Sequence, residues 1–135
     1  MTEPVVDLVR VPSLSAQVPY AYAASVARGA RVVCTAGACP LDEQARTVAP
    51  GDVPAQAEQA MTNLAAALEA AGARLADVVV STVYVASADR SDLVAAWDVV
   101  RRHFGDHDAP STLLGVTVLG HPDQLVEVQA MAAVR

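Results

Sequence analysis

Residues 78–85 constrain the fold of this chain more than any other stretch. Their sequence, VVVSTVYV, is rich in β-branched residues and places Thr82 and Tyr84 on the same side. This composition favours a β-strand, and a strand this apolar is typical of one that is covered on both faces. The sheet that contains it therefore needs helices on one face and further protein on the other.

A helix is predicted before this strand. Asp52 suits an N-cap, Pro54 is tolerated in the first turn, and Gly72 suits the end of the helix. Between them, apolar residues recur at spacings of three and four, which indicates one helical face. The residues of this stripe are Ala57, Ala60, Met61, Leu64, Leu68 and Ala71.

A second helix is predicted after the strand. It begins near Ser91, where Asp89 and Asp92 favour a helix N-terminus, and it ends at Gly105. Its predicted inward face consists of Leu93, Trp97, Val100 and Phe104.

Alternation of apolar and polar residues predicts five further strands, at residues 5–11, 20–26, 31–36, 111–119 and 125–134. A turn around Gly29 favours a hairpin of the second and third strands, and residues 120–123 (GHPD) form a turn between the last two. The order predicts one α+β domain over residues 1–135, with a mixed sheet and two helices packed on one face.

The composition bears on partners and location. Hydrophobic residues make up 53% of the chain and charged residues 18%, which favours an oligomer that buries the second sheet face, although drift towards Ala and Val gives the same composition. The net charge of −6 argues against a nucleic-acid partner. Neither a membrane span nor a signal peptide is predicted, so a cytoplasmic location is expected.

The sequence lacks the residues that several kinds of catalysis require. There is no Lys, which excludes a Lys Schiff base, and no Gly-x-Ser-x-Gly or Gly-x-Gly-x-x-Gly motif is present. Cys34 is predicted to be a small buried hydrophobe. A disulfide with Cys39 is not expected, because an extended strand does not fold back within five residues, and two cysteines without a nearby His do not make a zinc site.

Four stretches carry a resemblance to the Rid family of reactive-intermediate deaminases, also called YjgF-like proteins. They are residues 32–37 (VVCTAG), 63–72 (NLAAALEAAG), 77–85 (DVVVSTVYV) and 125–132 (LVEVQAMA). The resemblance implies a chorismate-mutase-like fold and a homotrimer around a sheet-lined core, with small-molecule substrates bound in clefts between subunits. It also implies hydrolysis of enamines and imines to 2-oxo acids and ammonia, without cofactor or metal.

Some of the family's functional residues are matched. Glu127, on the last strand, matches the Glu that handles water and protons, and Gly37 matches a turn glycine whose backbone contacts the ligand. Either Tyr20 or Tyr22 matches a tyrosine that lines the cleft.

Other family positions differ in this chain. The Arg that clamps a substrate carboxylate is replaced by Thr112, and no Arg occurs between Pro110 and Pro122. The hydroxyl residue before the turn glycine is replaced by Ala36, although Thr35 is adjacent. Losing a bidentate, charge-assisted contact costs roughly 2–5 kcal/mol, so we expect poor turnover of the usual small 2-imino acids.

The remaining candidates have weaker support. Leu114 and His121 are further predicted substrate contacts, whereas His103 and His107 follow the last turn of the second helix, where a cation suits the helix dipole. A charge from a neighbouring subunit would come from Arg31, Arg101 or Arg102.

Three functions remain open from the sequence. The first is an enamine or imine hydrolase with altered substrate choice, in which Glu127 is the acid–base group. The second is a cleft that performs a condensation, dehydration or cyclisation, and the third is a non-catalytic protein that binds a small molecule or a partner.

Overall fold

The computed structural model describes residues 3–135. Met1 and Thr2, part of the N-terminus considered above for a signal peptide, lie outside the described residues. The order of elements is the predicted one: β1 Val6–Val9, β2 Ala23–Val26, β3 Arg31–Cys34, α1 Val53–Ala70, β4 Val78–Val85, α2 Arg90–Phe104, β5 Ser111–Gly115 and β6 Val126–Val134, with a short 3₁₀ turn at Leu75–Asp77.

The main sheet has four strands in the order β3-β6-β4-β5. Strand β4 is parallel to β5 and antiparallel to β6, which makes the sheet mixed, and α2 provides the crossover between the two parallel strands. Strands β1 and β2 form a separate antiparallel pair. The predicted α+β class, with a mixed sheet and two helices, is therefore confirmed.

The predicted pairing of the second and third strands is wrong, and the turn at residues 120–123 does not join neighbouring strands. Strands β2 and β3 do not form a hairpin around Gly29, since β2 pairs with β1 and β3 pairs with β6. The last two strands are not neighbours either, because β4 lies between them, and β5 ends at Gly115 rather than Leu119. Turn residues mark where a chain changes direction, but burial of the apolar faces decides which strands become partners.

Both helices begin and end as the sequence predicts. Asp52 caps α1 by accepting a hydrogen bond from the amide of Ala55 at 3.0 Å, and Asp89 caps α2 by accepting from the amide of Ser91 at 2.9 Å. The buried residues of α2 differ in part from the predicted stripe. They are Ala96, Val99 and Val100, while Leu93, Trp97 and Phe104 are only partly buried at the margin of the core.

The two faces of the main sheet differ in burial. Val83, Val85, Val126 and Val128 are fully buried on the face that packs against the helices. The opposite face, which we call the outer face, exposes Val32, Leu114 and Met131 by 51%, 43% and 36%, respectively. The prediction that Cys34 is buried is wrong for the single chain, because Cys34 pairs with Met131 on this face and is exposed.

No helix among residues 3–135 is long and apolar enough to cross a membrane.

Two amide side chains of α1 hold the loops next to the sheet. Gln56 is fully buried; its Nε2 donates to the carbonyls of Ala49 and Asp123, and its Oε1 accepts from the amide of Leu125 at 2.7 Å. Two turns further along, Asn63 Nδ2 donates to the carbonyls of Cys39 and Leu41 at 2.8 and 3.0 Å. Helix α1 therefore fixes both the segment after β3 and the segment before β6.

We expect Gln56→Met to lower the free energy of unfolding by about 2–4 kcal/mol, because the change leaves the amide of Leu125 and the carbonyl of Asp123 buried without partners. Chemical denaturation measures this loss. Thr62→Ala, on the exposed side of the same helix, is the control and should change stability by less than about 0.5 kcal/mol. Equal effects of the two variants would contradict the assigned role of Gln56.

Candidate functional site

Glu127 lies against Gly37 at an irregular point of the β3–β6 pairing. Cys34 pairs with Met131 and Ala38 bridges to Val128. An advance of four residues after Cys34 is therefore matched by an advance of only three residues along β6. An extra residue of this kind is a β-bulge, which bends the strand and redirects its side chains. A Cβ atom added to Gly37 would lie 2.2 Å from Glu127 Oε2. Only glycine leaves room for the carboxylate in this position.

Two donors reach the other carboxylate oxygen, Oε1. Gln124 Nε2 donates to it at 3.1 Å and the thiol of Cys39 lies 3.4 Å from it. Gln124 is 4% exposed, and its own Oε1 accepts from the amide of His121 at 3.0 Å. The carboxylate is thus held on one oxygen by neighbouring side chains.

The Cys39 thiol is affected by the same contact. Burial, the hydrogen bond to Glu127 and the negative charge of that carboxylate together raise the pKa of Cys39 above its ordinary value, with burial the largest cause, against a smaller lowering by Gln124. Cys39 is therefore a neutral hydrogen-bond donor at neutral pH rather than a thiolate nucleophile.

Tyr84 is the side chain across the sheet from Glu127. The register pairs Tyr84 with Glu127 on one side and with Leu114 on the other, so all three share the outer face. Adjacent strands are about 4.8 Å apart, which places Leu114 roughly 10 Å from Glu127. Tyr84 was not among the predicted site residues, and its place in the strand of residues 78–85 is the signal in the sequence that points to it.

Thr112 and Tyr20 lie together in a cavity of about 430 Å³ at the β5 edge of the sheet. The cavity is lined by Pro19, Tyr20, Trp97, Ser111, Thr112 and Leu113. No charged side chain is among these residues. Trp97, assigned by the sequence to the core, is therefore partly a cavity wall.

Tyr22 lies in a different place from Tyr20 although their rings contact edge to face, with centroids 6.0 Å apart. Its hydroxyl donates to the carbonyl of Ser15 at 2.8 Å, and it borders a second cavity, of about 530 Å³, under residues 11–19. Arg101 and Arg10 border the same cavity, where Arg10 is paired with Asp108 at 2.8 Å.

The remaining predicted residues are spread around this region. The hydroxyl of Thr35 exchanges hydrogen bonds with the backbone of Ala130 in the β3–β6 pairing, and Ala36, next to Gly37, is exposed. The side chain of His121 is exposed, and its backbone contacts Gln124.

The other His and Arg candidates have structural partners. His103 contacts Glu58 at 2.6 Å, and His107 contacts the carbonyl of Val78 at 2.7 Å. Arg102 pairs with Glu58 and Arg31 donates to the carbonyl of Ala71. Among residues 3–135, no group of three or more His, Cys, Asp or Glu side chains is placed to hold a metal ion.

Comparisons with known proteins agree with this fold. The sequence profile described as Endoribonuclease L-PSP matches residues 12–134. A RutC family protein of Pyrococcus horikoshii is 34% identical, covering 72% of this chain and 75% of its own. A 2-iminobutanoate/2-iminopropanoate deaminase of Salmonella typhimurium is 35% identical over 77% of this chain and 80% of its own.

A solved structure of a similar protein also has this fold. A Rid family protein of unknown function from Yersinia pestis superposes with a TM-score of 0.89 at 27% identity, covering 97% of this chain and all of that one. The chain therefore belongs to the Rid (YjgF-like) family, as the four sequence stretches indicated.

We expect Gly37→Ala to destabilise the fold by about 1–3 kcal/mol, because the new methyl group overlaps the Glu127 carboxylate. Gly120→Ala is the control, since a Cβ there meets no atom within 4 Å. Denaturation of Gly37→Ala, of Glu127→Ala and of the variant that carries both substitutions, beside the native protein, gives a double-mutant cycle. If the second substitution restores none of the loss, the clash is not with Glu127.

Proposed function

We propose that this protein is a hydrolase that converts a reactive enamine or imine to a carbonyl compound and ammonia, with Glu127 as the acid–base group. The observation that carries the proposal is the Glu127 carboxylate seated over Gly37, with one oxygen held by two donors. Family membership supports it, because relatives such as the Salmonella protein are named imine deaminases.

The chemistry needs one group that moves protons. Water adds to the carbon of the C=N bond while Glu127 takes a proton from it and passes that proton to the nitrogen, which gives a carbinolamine and leaves the carboxylate unprotonated again. The hydroxyl proton of this intermediate then passes through the carboxylate to nitrogen, the C–N bond breaks, and ammonia leaves as the C=O bond forms. General acid–base catalysis of this kind contributes about 10²–10⁴-fold.

The preferred substrate differs from the small 2-imino acids. Thr112 offers one neutral hydroxyl where the resemblance implies a carboxylate-binding Arg, and no charged residue lines the cavity beside it. A carboxylate that is buried without a positive partner is strongly disfavoured. The Tyr20, Trp97 and Leu113 side chains instead suit an uncharged apolar or aromatic substituent.

The assembly we propose is a homotrimer in which the outer faces of the sheets cover one another. In a single chain Glu127 is not among the residues that line either the Thr112 cavity or the larger one. Association through the outer face would close the open side of the Glu127 cluster and make a cleft between neighbouring subunits. The exposed apolar side chains of Val32, Leu114 and Met131 support this arrangement.

Substrate choice is tested by measuring ammonia release from 2-iminopropanoate, generated in situ, and from uncharged imines of aromatic and aliphatic aldehydes. We expect the uncharged imines to be hydrolysed faster, and Glu127→Gln to lower kcat on them at least about 100-fold. Faster hydrolysis of 2-iminopropanoate than of the uncharged imines would contradict the assigned preference. Full activity of Glu127→Gln would contradict the role of the carboxylate.

Replacing Thr112 by Arg should raise kcat/KM for 2-iminopropanoate by about tenfold or more, since the guanidinium supplies the missing carboxylate partner. Thr117→Arg adds the same charge at an exposed position and should leave the rate unchanged. An equal gain in both variants would point to a general effect of charge instead of a carboxylate clamp.

The trimer is tested by light scattering. Met131→Arg places a charge on the outer face and should lower the mass of the particle from three chains towards one, because burying an unpaired charge opposes association. Val94→Arg is the control, since Val94 is 46% exposed on α2, on the helix side. A native protein with the mass of one chain, or a trimer that survives Met131→Arg, would contradict this interface.

Two other functions have less support. Action on RNA, which the profile's description names, is disfavoured by the net charge of −6. A purely ligand-binding role does not explain why two side chains, Cys39 and Gln124, donate hydrogen bonds to the Glu127 carboxylate. Binding of the panel compounds without ammonia release would favour that role over hydrolysis.

A further inference from the structure

The Glu127 carboxylate is held unequally at its two oxygens. Both side-chain donors, from Gln124 and Cys39, reach Oε1, and Oε2 lies against the bare Cα of Gly37. No hydrogen bond from another described residue to Oε2 accompanies these contacts. One oxygen of the carboxylate is therefore occupied by donors from the protein, and the other is free to contact a ligand.

Each donor is itself held in place. Gln124 is buried, its Nε2 also donates to the carbonyl of Val126 at 3.1 Å, and its Oε1 accepts from the amide of His121. The backbone of Cys39 is held by Asn63, 2.8 Å from the Cys39 carbonyl. The donors are thus fixed by the fold and do not depend on a ligand.

The Cys39 thiol has a single proton and two acceptors within reach. The carbonyl of Gly37 lies 3.6 Å from the sulfur, and Glu127 Oε1 lies 3.4 Å from it. A carboxylate is the stronger acceptor, because a hydrogen bond to a charged group is about twice as strong as one between neutral groups. The thiol proton therefore points to Glu127.

We propose that Cys39 and Gln124 are positioning residues that occupy Glu127 Oε1 and leave Oε2 as the atom that exchanges protons with water and substrate. This inference rests on the proposed hydrolase function. The donors restrict rotation of the carboxylate and leave its free oxygen, Oε2, against Gly37, where no side chain separates it from a ligand on that side. Fixing a catalytic group in one orientation reduces the reorganisation needed during the reaction.

The same geometry gives Cys39 a role without nucleophilic attack. Burial and Glu127 both raise the pKa of Cys39, so the thiol is protonated when the carboxylate is charged. A serine hydroxyl would serve the same purpose as a donor, whereas it would not replace a thiolate nucleophile.

The contact is tested first without any substrate, by the rate at which iodoacetamide alkylates Cys39 at pH 8 in a Cys34→Ser background. Removing the negative charge with Glu127→Gln should speed alkylation about three- to tenfold, because more of the thiol ionises. Cys34, measured in a Cys39→Ala background, is the control and should not respond to Glu127→Gln. An unchanged rate at Cys39 would overturn the Cys39–Glu127 contact.

The positioning role is tested on the imine that the panel identifies as hydrolysed. Cys39→Ala should lower kcat about tenfold with KM changed less than about twofold, and Cys39→Ser should recover most of the loss. Gln124→Met, which removes the second donor, should lower kcat at least as much. Thr62→Ala, on the exposed side of α1, is the control with unchanged kcat.

Each result has a defined meaning. A fully active Cys39→Ala protein, or a Cys39→Ser protein as slow as Cys39→Ala, would overturn the positioning role. A folded protein that hydrolyses no imine would overturn the proposed function and the catalytic part of this inference together. The alkylation experiment still decides the contact in that case, so the two failures are distinguishable.

Discussion

The hydrogen bonds from the buried face of α1 are the interactions on which the rest of the site depends. Gln56 and Asn63 are seven residues apart, two helical turns, so both project from the same side of the helix. One holds the segment that leads into β6, and the other holds the segment that leaves β3. Because Gly37 lies on the segment after β3 and Glu127 lies in β6 directly after the segment that Gln56 holds, a single helix sets the distance between them.

The asymmetry of the sheet explains why the carboxylate lies where it does. The helix side is filled by valine and alanine side chains with almost no exposure, and a charge there would need a buried partner. The outer face accommodates Glu127, Tyr84 and Thr82, which are only partly buried there among residues 3–135. The polar side chains and the exposed apolar side chains therefore share one side of the sheet.

Much of the fold could be predicted from sequence periodicity. The caps at Asp52 and Asp89 and the strand of residues 78–85 depend on local residue preferences, and each is found as expected. The prediction of a hairpin around Gly29 was wrong because burial between distant parts of the chain decides which strands pair. Local turn residues carry no information about that burial. In the same way, Leu93 and Trp97 fit a helical stripe, yet they lie at the core margin.

The site was predictable only where the family resemblance named a position. Glu127 and Gly37 were each named in this way, and the structure adds that they are in contact. The Cys39–Glu127 contact joins residues 88 positions apart, and the sequence has no local signal for it. Gln124 looks like an ordinary turn residue until its burial is seen, and Tyr84 looks like an ordinary strand residue until its register is known.

The place of β5 at the margin of the sheet has a consequence for how such proteins diversify. Strand β5 has β4 as its one partner in the main sheet, whereas β6 lies between two strands. Thr112 is on the marginal strand and Glu127 on the interior one. A substitution on the marginal strand disturbs few backbone interactions, so position 112 tolerates exchange more readily than position 127, which has a paired strand on each side.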